Sequence, residues 1–228
     1  EHAGGVNAGS AYLFQLEQNG SVTELGKVTA SDPSASDKFG SSISLSGNLL
    51  AVGAMGSAQG GHSNSGAAYL FRLEQNGSIS FLDKLKDAPA GAKLGHALSM
   101  WEDLLIVGAY QETHNGNPQA GAAYLYRVEQ NGSATLLDRI EAHDANASDE
   151  FGYAVSLSDG VVAVGAPRTD YWGNTNAGTV FFYDSWAAAN RAPVDIRPDP
   201  FLGFSPEKEE LIHNLQTGWL KSAESLVF

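Results

Sequence analysis

The stretch "FGSSISLSGNLLAVGA" (residues 39–54) gives the strongest indication of the fold, because the same pattern occurs twice more in the chain. "LGHALSMWEDLLIVGA" occupies residues 94–109, and "FGYAVSLSDGVVAVGA" occupies residues 151–166. In each copy, a first run is separated from an apolar second run by two turn-forming residues. This pattern predicts two antiparallel strands joined by a two-residue hairpin turn. Because the second run is apolar throughout, we expect both of its faces to be covered.

A second phrase recurs in register with the first. Its copies begin at Gly9, Gly66 and Gly121, with a shortened copy at Gly178, at steps of 57, 55 and 57 residues. Alternating aromatic residues predict a half-buried third strand, and Asn-Gly predicts another two-residue turn into a fourth strand. The full copies are "GSAYLFQLEQNGS" (9–21), "GAAYLFRLEQNGS" (66–78) and "GAAYLYRVEQNGS" (121–133). The fourth strands that follow are "VTELGKV", "ISFLDKL" and "ATLLDRI".

Four antiparallel strands per period predict an all-β protein built from β-propeller-type blades. Residues 1–185 hold two, four, four and three predicted strands, about three and a quarter blades, with boundaries near residues 39, 94 and 151. Closed propellers usually have about four to eight blades. Three arrangements therefore remain open: part of a longer ring, a homodimer that completes one ring, or an open array.

The residue pairs that open and close each first hairpin resemble the FG-GAP repeat of integrin α-subunit propellers and of many bacterial surface proteins. These pairs are Phe39-Gly40 with Gly53-Ala54, Leu94-Gly95 with Gly108-Ala109, and Phe151-Gly152 with Gly165-Ala166. The resemblance implies a propeller with the FG strand innermost and a secreted or cell-surface protein of bacterial type. Many members carry a calcium loop between the first two strands. A two-residue turn cannot supply the six to eight oxygens that calcium needs, so we expect no calcium and no other cofactor.

The charge of the chain excludes some partners. The formal net charge is −13, and the 13 Lys and Arg residues form no cluster. An acidic surface repels phosphate backbones and anionic lipid surfaces, so we expect no nucleic acid partner. No apolar run approaches the roughly 20 residues of a membrane helix, so we expect no membrane insertion.

Beyond the repeats, the sequence predicts two further segments. Residues 186–204 are rich in Pro and predict a linker. Residues 205–228 predict a helix, since Ser205 is a suitable N-cap and Pro206 fits the first helical position. We expect this helix to pack on the propeller or on a neighbouring copy.

Candidate ligand-binding residues lie in the loops between the second and third strands. These loops differ between repeats and are rich in amides and aromatics, whereas the turns at the other end are nearly invariant within the chain. Aromatic faces cover the apolar patches of a sugar ring, and amides pair with its hydroxyls. No carboxylate stands at a fixed spacing from the histidines, so we expect no metal site. The candidates are His62, Asn64, Tyr110, His114, Asn115, Asn117, Asp170, Tyr171, Trp172, Asn174 and Asn176.

The sequence favours a non-catalytic binding or adhesion module that holds a carbohydrate or protein ligand on its loop-rich face. No nucleophile, zinc or phosphate-loop motif is present. One alternative is a polysaccharide-active enzyme, for which Asp37, Asp149 and Asp170 are the suggestive acids. Of these, Asp37 and Asp149 better fit turn caps. The other alternative is a structural assembly unit whose loops bind nothing.

Overall fold

The computed structural model describes residues 5–58, 61–170, 173–184 and 194–195. The described residues form fourteen strands and confirm the all-β prediction. Within these ranges, no helix has the length and apolar character needed to span a bilayer. The strands are β1 (Ala11–Leu16), β2 (Val22–Val28), β3 (Phe39–Ser46), β4 (Leu49–Ala54), β5 (Ala68–Leu73), β6 (Ile79–Leu85), β7 (Leu98–Trp101), β8 (Leu104–Ala109), β9 (Ala122–Val128), β10 (Ala134–Ile140), β11 (Ala154–Ser158), β12 (Val161–Ala166), β13 (Thr179–Asp184) and β14 (Val194–Asp195).

The strands form one half-blade and three four-stranded blades, as the repeats predict. The half-blade is β1–β2, and the blades are β3–β6, β7–β10 and β11–β14, each in chain order and antiparallel. The third blade differs from the prediction in one respect. Three strands were expected there, but the two-residue β14 pairs with β13 and adds a fourth. The rest of the predicted linker and the predicted helix (205–228) lie outside the described residues.

The first strands of neighbouring blades lie against each other, which places the FG strand innermost. Strand β3 contacts β7, and β7 contacts β11. The turn from the first to the second strand has two residues, as predicted, with positive φ at Gly47, Glu102 and Asp159.

The turn between the third and fourth strands is wider than predicted. In the first copy, Gly20 N donates to Glu17 O at 2.9 Å and Glu17 N donates to Ser21 O at 2.8 Å. Among these turn residues only Gly20 has positive φ. The prediction of a two-residue Asn-Gly turn is therefore wrong. The turn is a type I-like turn followed by a left-handed glycine, which needs one more residue.

The core consists of three apolar clusters, each between two neighbouring blades. Strand β8 is buried along its whole length and faces a blade on each side, as its apolar sequence predicts. Full burial stabilises a side chain such as Ile106 by about 1.5–3 kcal/mol. In β12, alternate residues remain partly exposed. The outer face of the third blade is thus less covered, among the described residues, than the faces of the second blade.

Each blade is joined to the next by backbone contacts at the repeated glycines. Parallel bridges pair Gly9 with Phe39, Gly66 with Leu94 and Gly121 with Phe151. A Cβ at Gly108 would lie 2.0 Å from Gly152 O of the next blade. These contacts fix the start of every first strand, where candidate functional side chains lie.

Candidate functional site

The two ends of the blades differ in their connections. The loops from the second to the third strand and from the fourth strand to the next blade share one end, called here the loop-rich face. The short turns share the opposite end, the hairpin face. Tight turns at the start of the first strands position side chains on the loop-rich face. In the second blade, His96 N donates to Lys93 O at 3.2 Å, and in the third Tyr153 N donates to Glu150 O at 3.1 Å.

The residues directly after each FG-type pair and each Gly-Ala pair form the inner rim of the loop-rich face. They come from all three blades, and within each of the two sets the residue type differs from blade to blade. The inner rim consists of Ser41, Met55, His96, Tyr110, Tyr153 and Pro167.

Three aromatic rings pack together on the inner rim. The ring centroid of His96 lies 4.4 Å from that of Tyr110 and 4.8 Å from that of Tyr153, and the two tyrosines are 5.2 Å apart. Met55 of the first blade extends this contact, since its Sδ lies 3.4 Å from His96 Nδ1. Tyr153 remains 44% exposed. The result is a continuous apolar and aromatic surface across three blades, open to solvent at one end.

Two rings of this cluster, those of His96 and Tyr110, have shifted pKa values, and burial is the largest cause of both shifts. Burial lowers the pKa of His96 below its usual value. Burial and then the charge of Glu150 raise the pKa of Tyr110. Glu150 is itself nearly buried and forms a 2.9 Å ion pair with Arg168. A neutral imidazole and two phenols provide stacking faces together with hydroxyl and ring-nitrogen hydrogen-bonding groups.

Of the predicted residues, Tyr110 lies in this cluster, whereas three others form a separate network. His114 Nδ1 lies 2.8 Å from Glu141 Oε2, and Asn115 Nδ2 lies 2.6 Å from His114 Nε2. Asn117 Nδ2 donates to Ala145 O at 2.9 Å. These contacts connect the loop to the segment that follows β10, at the outer edge of the blade. They hold the loop in place, and they lie apart from the inner rim.

A buried ion pair lies beneath this network. Glu112 is nearly fully buried, accepts a hydrogen bond from Tyr124 Oη at 2.8 Å and pairs with Arg139 Nε at 2.7 Å. Arg139 also pairs with Glu141. Burial alone would lower the pKa of Arg139, but the hydrogen bonds and charges of the two carboxylates outweigh it and raise the pKa. The ion pair between Glu112 and Arg139 therefore stabilises the second blade.

Two predicted asparagines have backbone roles. Asn64 and Asn176 have φ of 55° and 53°, and Asn7 and Gln119 occupy the equivalent positions with φ of 60° and 57°. Asn64 O accepts a hydrogen bond from Lys93 N of the next blade at 3.2 Å. Asparagine tolerates this left-handed conformation better than most residues, so the joint between blades favours it.

The remaining predicted residues are dispersed. His62 and Asn174 are exposed in their loops. Asp170 Oδ1 accepts a hydrogen bond from Asn176 N at 2.8 Å. Tyr171 and Trp172 lie outside the described residues. Within the described ranges, no group of three His, Cys, Asp or Glu side chains is placed to hold a metal ion.

The predicted turn caps are confirmed. Asp37 Oδ2 accepts a hydrogen bond from Ser34 N at 2.7 Å, and Asp149 Oδ2 accepts one from Asn146 N at 2.8 Å. Both carboxylates are nearly buried beside the loop-rich face.

His96 and Tyr153 are absent from the sequence-based set. They do not lie in the variable loops but directly after the FG-type pair, at the start of the first strand. Alignment of the repeats could have found them, since Ser41, His96 and Tyr153 differ in type while the glycine before each is constant.

The hairpin face carries a different feature. A shallow groove of about 690 Å³ opens between the turns of the first and second blades. Its lining includes Arg72, Asp103 and Gln130, and none of its lining residues is aromatic. Arg72 Nη2 donates to Gln130 O at 3.2 Å, so its guanidinium is engaged with the neighbouring turn.

Comparison with known proteins agrees with the repeat pattern. The family model described as the FG-GAP repeat matches residues 22–71, 85–126 and 135–183, together more than half of the chain. No curated protein matches the sequence.

The solved structures to which the chain is similar share little of its sequence. Sqt1 from Saccharomyces cerevisiae is 13% identical with a TM-score of 0.46, over 80% of this chain and 41% of that chain. Sqt1 from Chaetomium thermophilum is 12% identical with a TM-score of 0.46, over 78% and 38%. The periplasmic gluconolactonase PpgL from Pseudomonas aeruginosa is 17% identical with a TM-score of 0.47, over 83% and 51%. The chain thus spans less than two thirds of each of these proteins.

Proposed function

Because this chain belongs to the FG-GAP repeat family, we propose that it is a non-catalytic binding module of a secreted or cell-surface protein and that its inner rim binds carbohydrate. The observation that carries this proposal is the packed cluster of His96, Tyr110 and Tyr153 on the loop-rich face. The cluster joins two blades and leaves one phenol ring accessible to a ligand.

The chemistry of the cluster suits a sugar ring. An aromatic face covers the C–H groups of a pyranose, and phenol hydroxyls exchange hydrogen bonds with its hydroxyl groups. Because His96 and Tyr110 already pack against Tyr153, little side-chain freedom is lost when a ligand binds. A preformed, partly apolar surface with a few polar groups is typical of small-ligand sites.

The carboxylates near the inner rim support a non-catalytic role. Asp37 and Asp149 cap their own turns, and Glu150 pairs with Arg168. Each is engaged in holding the fold, whereas hydrolysis of a glycoside needs two carboxyl groups that are free to act on the substrate. We therefore propose binding without turnover.

A titration with two matched tyrosine variants tests the proposal. Neutral, uronate-containing, amino and sulfated oligosaccharides are titrated into the wild type by calorimetry, followed by the best ligand into Tyr153→Ala and Tyr12→Ala. The two tyrosines are similarly exposed, at 44% and 50%, but Tyr12 lies on the half-blade. We expect Tyr153→Ala to weaken binding at least tenfold and Tyr12→Ala to leave it unchanged. Equal losses, or no binding of any glycan by the wild type, would contradict the proposal.

A further inference from the structure

Two lysines flank the inner rim at equivalent positions of neighbouring blades. Lys38 and Lys93 stand directly before the FG-type pairs. Each closes the tight turn that positions a rim residue, because its carbonyl accepts a hydrogen bond from Ser41 N at 3.0 Å or from His96 N at 3.2 Å. Lys93 and His96 therefore belong to one turn beside the aromatic cluster, and Lys38 belongs to the equivalent turn, that of Ser41, in the neighbouring blade.

The backbone at these positions does not select lysine. Lys38 and Lys93 have φ of 57° and 63°, and Glu150 has φ of 58° at the same position of the third blade. Left-handed backbone is uncommon for residues other than Gly, Asn and Asp. The fold requires the conformation, and the residue type is free to vary. The choice of lysine in two adjacent blades calls for a reason other than backbone geometry.

The charges of these two lysines are uncompensated, unlike those of several other cations. Lys84, Arg139 and Arg168 each pair with a carboxylate. Lys93 Nζ instead donates to the neutral Asn64 Oδ1 at 2.8 Å, and neither lysine forms an ion pair within the described ranges. Burial and then the charge of Lys38 lower the pKa of Lys93, so the two ammonium groups repel each other.

An anion between two repelling ammonium groups would relieve their repulsion. We propose that the ligand of the inner rim is an acidic glycan, whose carboxylate or sulfate group is bound by Lys38 and Lys93 while a sugar ring stacks on the aromatic cluster. This inference rests on the proposed function and names its ligand class.

A charge-matched pair of double variants tests this inference. Lys38→Gln with Lys93→Gln removes the two rim charges. Arg72→Gln with Lys86→Gln removes two charges elsewhere that also form no ion pair within the described ranges. The probes are oligogalacturonate, a sulfated carrageenan oligosaccharide, neutral cello-oligosaccharide and a short single-stranded DNA. Thermal melting verifies that both variants fold.

We expect the rim variant to lose at least tenfold in affinity for an acidic oligosaccharide and the control variant to lose less than threefold. The preferred acidic probe distinguishes carboxylate from sulfate. Equal losses in the two variants, equal affinity for neutral and acidic probes, or equal affinity for DNA would overturn the inference. If neutral sugars bind and depend on Tyr153 alone, the inference fails and the proposed function stands. If no sugar binds, both fail.

Discussion

The hairpin face and the loop-rich face belong to the same blades, yet they use their side chains differently. On the hairpin face, the three Asn-Gly turns present the same asparagine, and its side chain caps its own turn: Ser78 N donates to Asn76 Oδ1 at 2.9 Å and Ser133 N donates to Asn131 Oδ1 at 3.0 Å. On the inner rim of the loop-rich face, equivalent positions hold Ser41, His96 and Tyr153. Where a side chain caps a turn, the residue type is the same in each copy. Where backbone hydrogen bonds hold the turn, the residue type differs between blades.

The ion pairs of the two faces differ in the same way. The pair of Arg139 with Glu112, near the loop-rich face, is largely buried, whereas the pair of Arg127 with Asp103, on the hairpin face, is about half exposed. Burial makes the loss of one partner costly, and exposure makes it nearly neutral. The ion pair on which the fold depends more therefore lies beneath the loop-rich face, and we propose that the inner rim of this face binds the ligand.

The largest expected effect comes from breaking the buried pair. Arg139→Met leaves the buried Glu112 without its cation and should lower the free energy of unfolding by about 3 kcal/mol. Arg127→Met should change it by about 0.5 kcal/mol or less. Urea unfolding of both variants measures the difference. Similar losses would show that the two faces do not differ in their structural demands.

A second prediction concerns the joint between blades at the loop-rich end. Gly108→Ala places a Cβ against Gly152 O, 2.0 Å away, and should cost about 2 kcal/mol because backbone must move. Gly165→Ala is the matched control, since its Cβ would meet only atoms of Ala154, at ordinary contact distances of 3.5 Å or more. Thermal unfolding of both variants checks this. Equal losses in the two variants would show that the close backbone contact between blades is not the reason for glycine at position 108.

A smaller effect is expected on the hairpin face. Asn131→Ala removes the acceptor of the hydrogen bonds from Ser133 N and Oγ. Because the turn is exposed to water, the loss should be about 1 kcal/mol or less. Glycan affinity should not change, since the turn lies at the opposite end from the inner rim. A large loss of affinity in the calorimetric titration would move the binding site to the hairpin face.

The smallest expected effect is a pH dependence at the inner rim. The pKa of His96 is lowered in the folded state. As the pH falls through about 6.5, His96 is therefore protonated more readily in the unfolded chain than in the folded protein. The protein should therefore lose stability between about pH 7.5 and 5.5. His96→Phe should lose less over the same interval. Equal losses in parallel urea titrations would show that the folded site does not exclude the proton.

The fold was predictable because its signals are local and repeated. Strand pairs such as β3 and β4, joined at Gly47 and Asn48, follow from apolar runs and turn residues. The wider turn at Asn19-Gly20 was not predictable from the dipeptide alone. Its length depends on where the third and fourth strands come into register.

The site was only partly predictable, because contacts between blades decide it. The loops identified the loop-rich face and Tyr110, but the clustering of Tyr110 with His96 and Tyr153 depends on how the first strands of two blades meet. The same packing explains why Asn64 and Asn176 have backbone roles. Composition rich in amides does not separate a residue that binds ligand from one that closes a joint.

The most direct test of ligand binding at the inner rim is a chemical-shift map of the isotope-labelled chain during titration with its best-binding oligosaccharide. We expect perturbations centred on His96, Tyr110 and Tyr153, with the turn at Asn131 unaffected. Perturbations confined to the hairpin face, around the groove lined by Arg72 and Asp103, would contradict it.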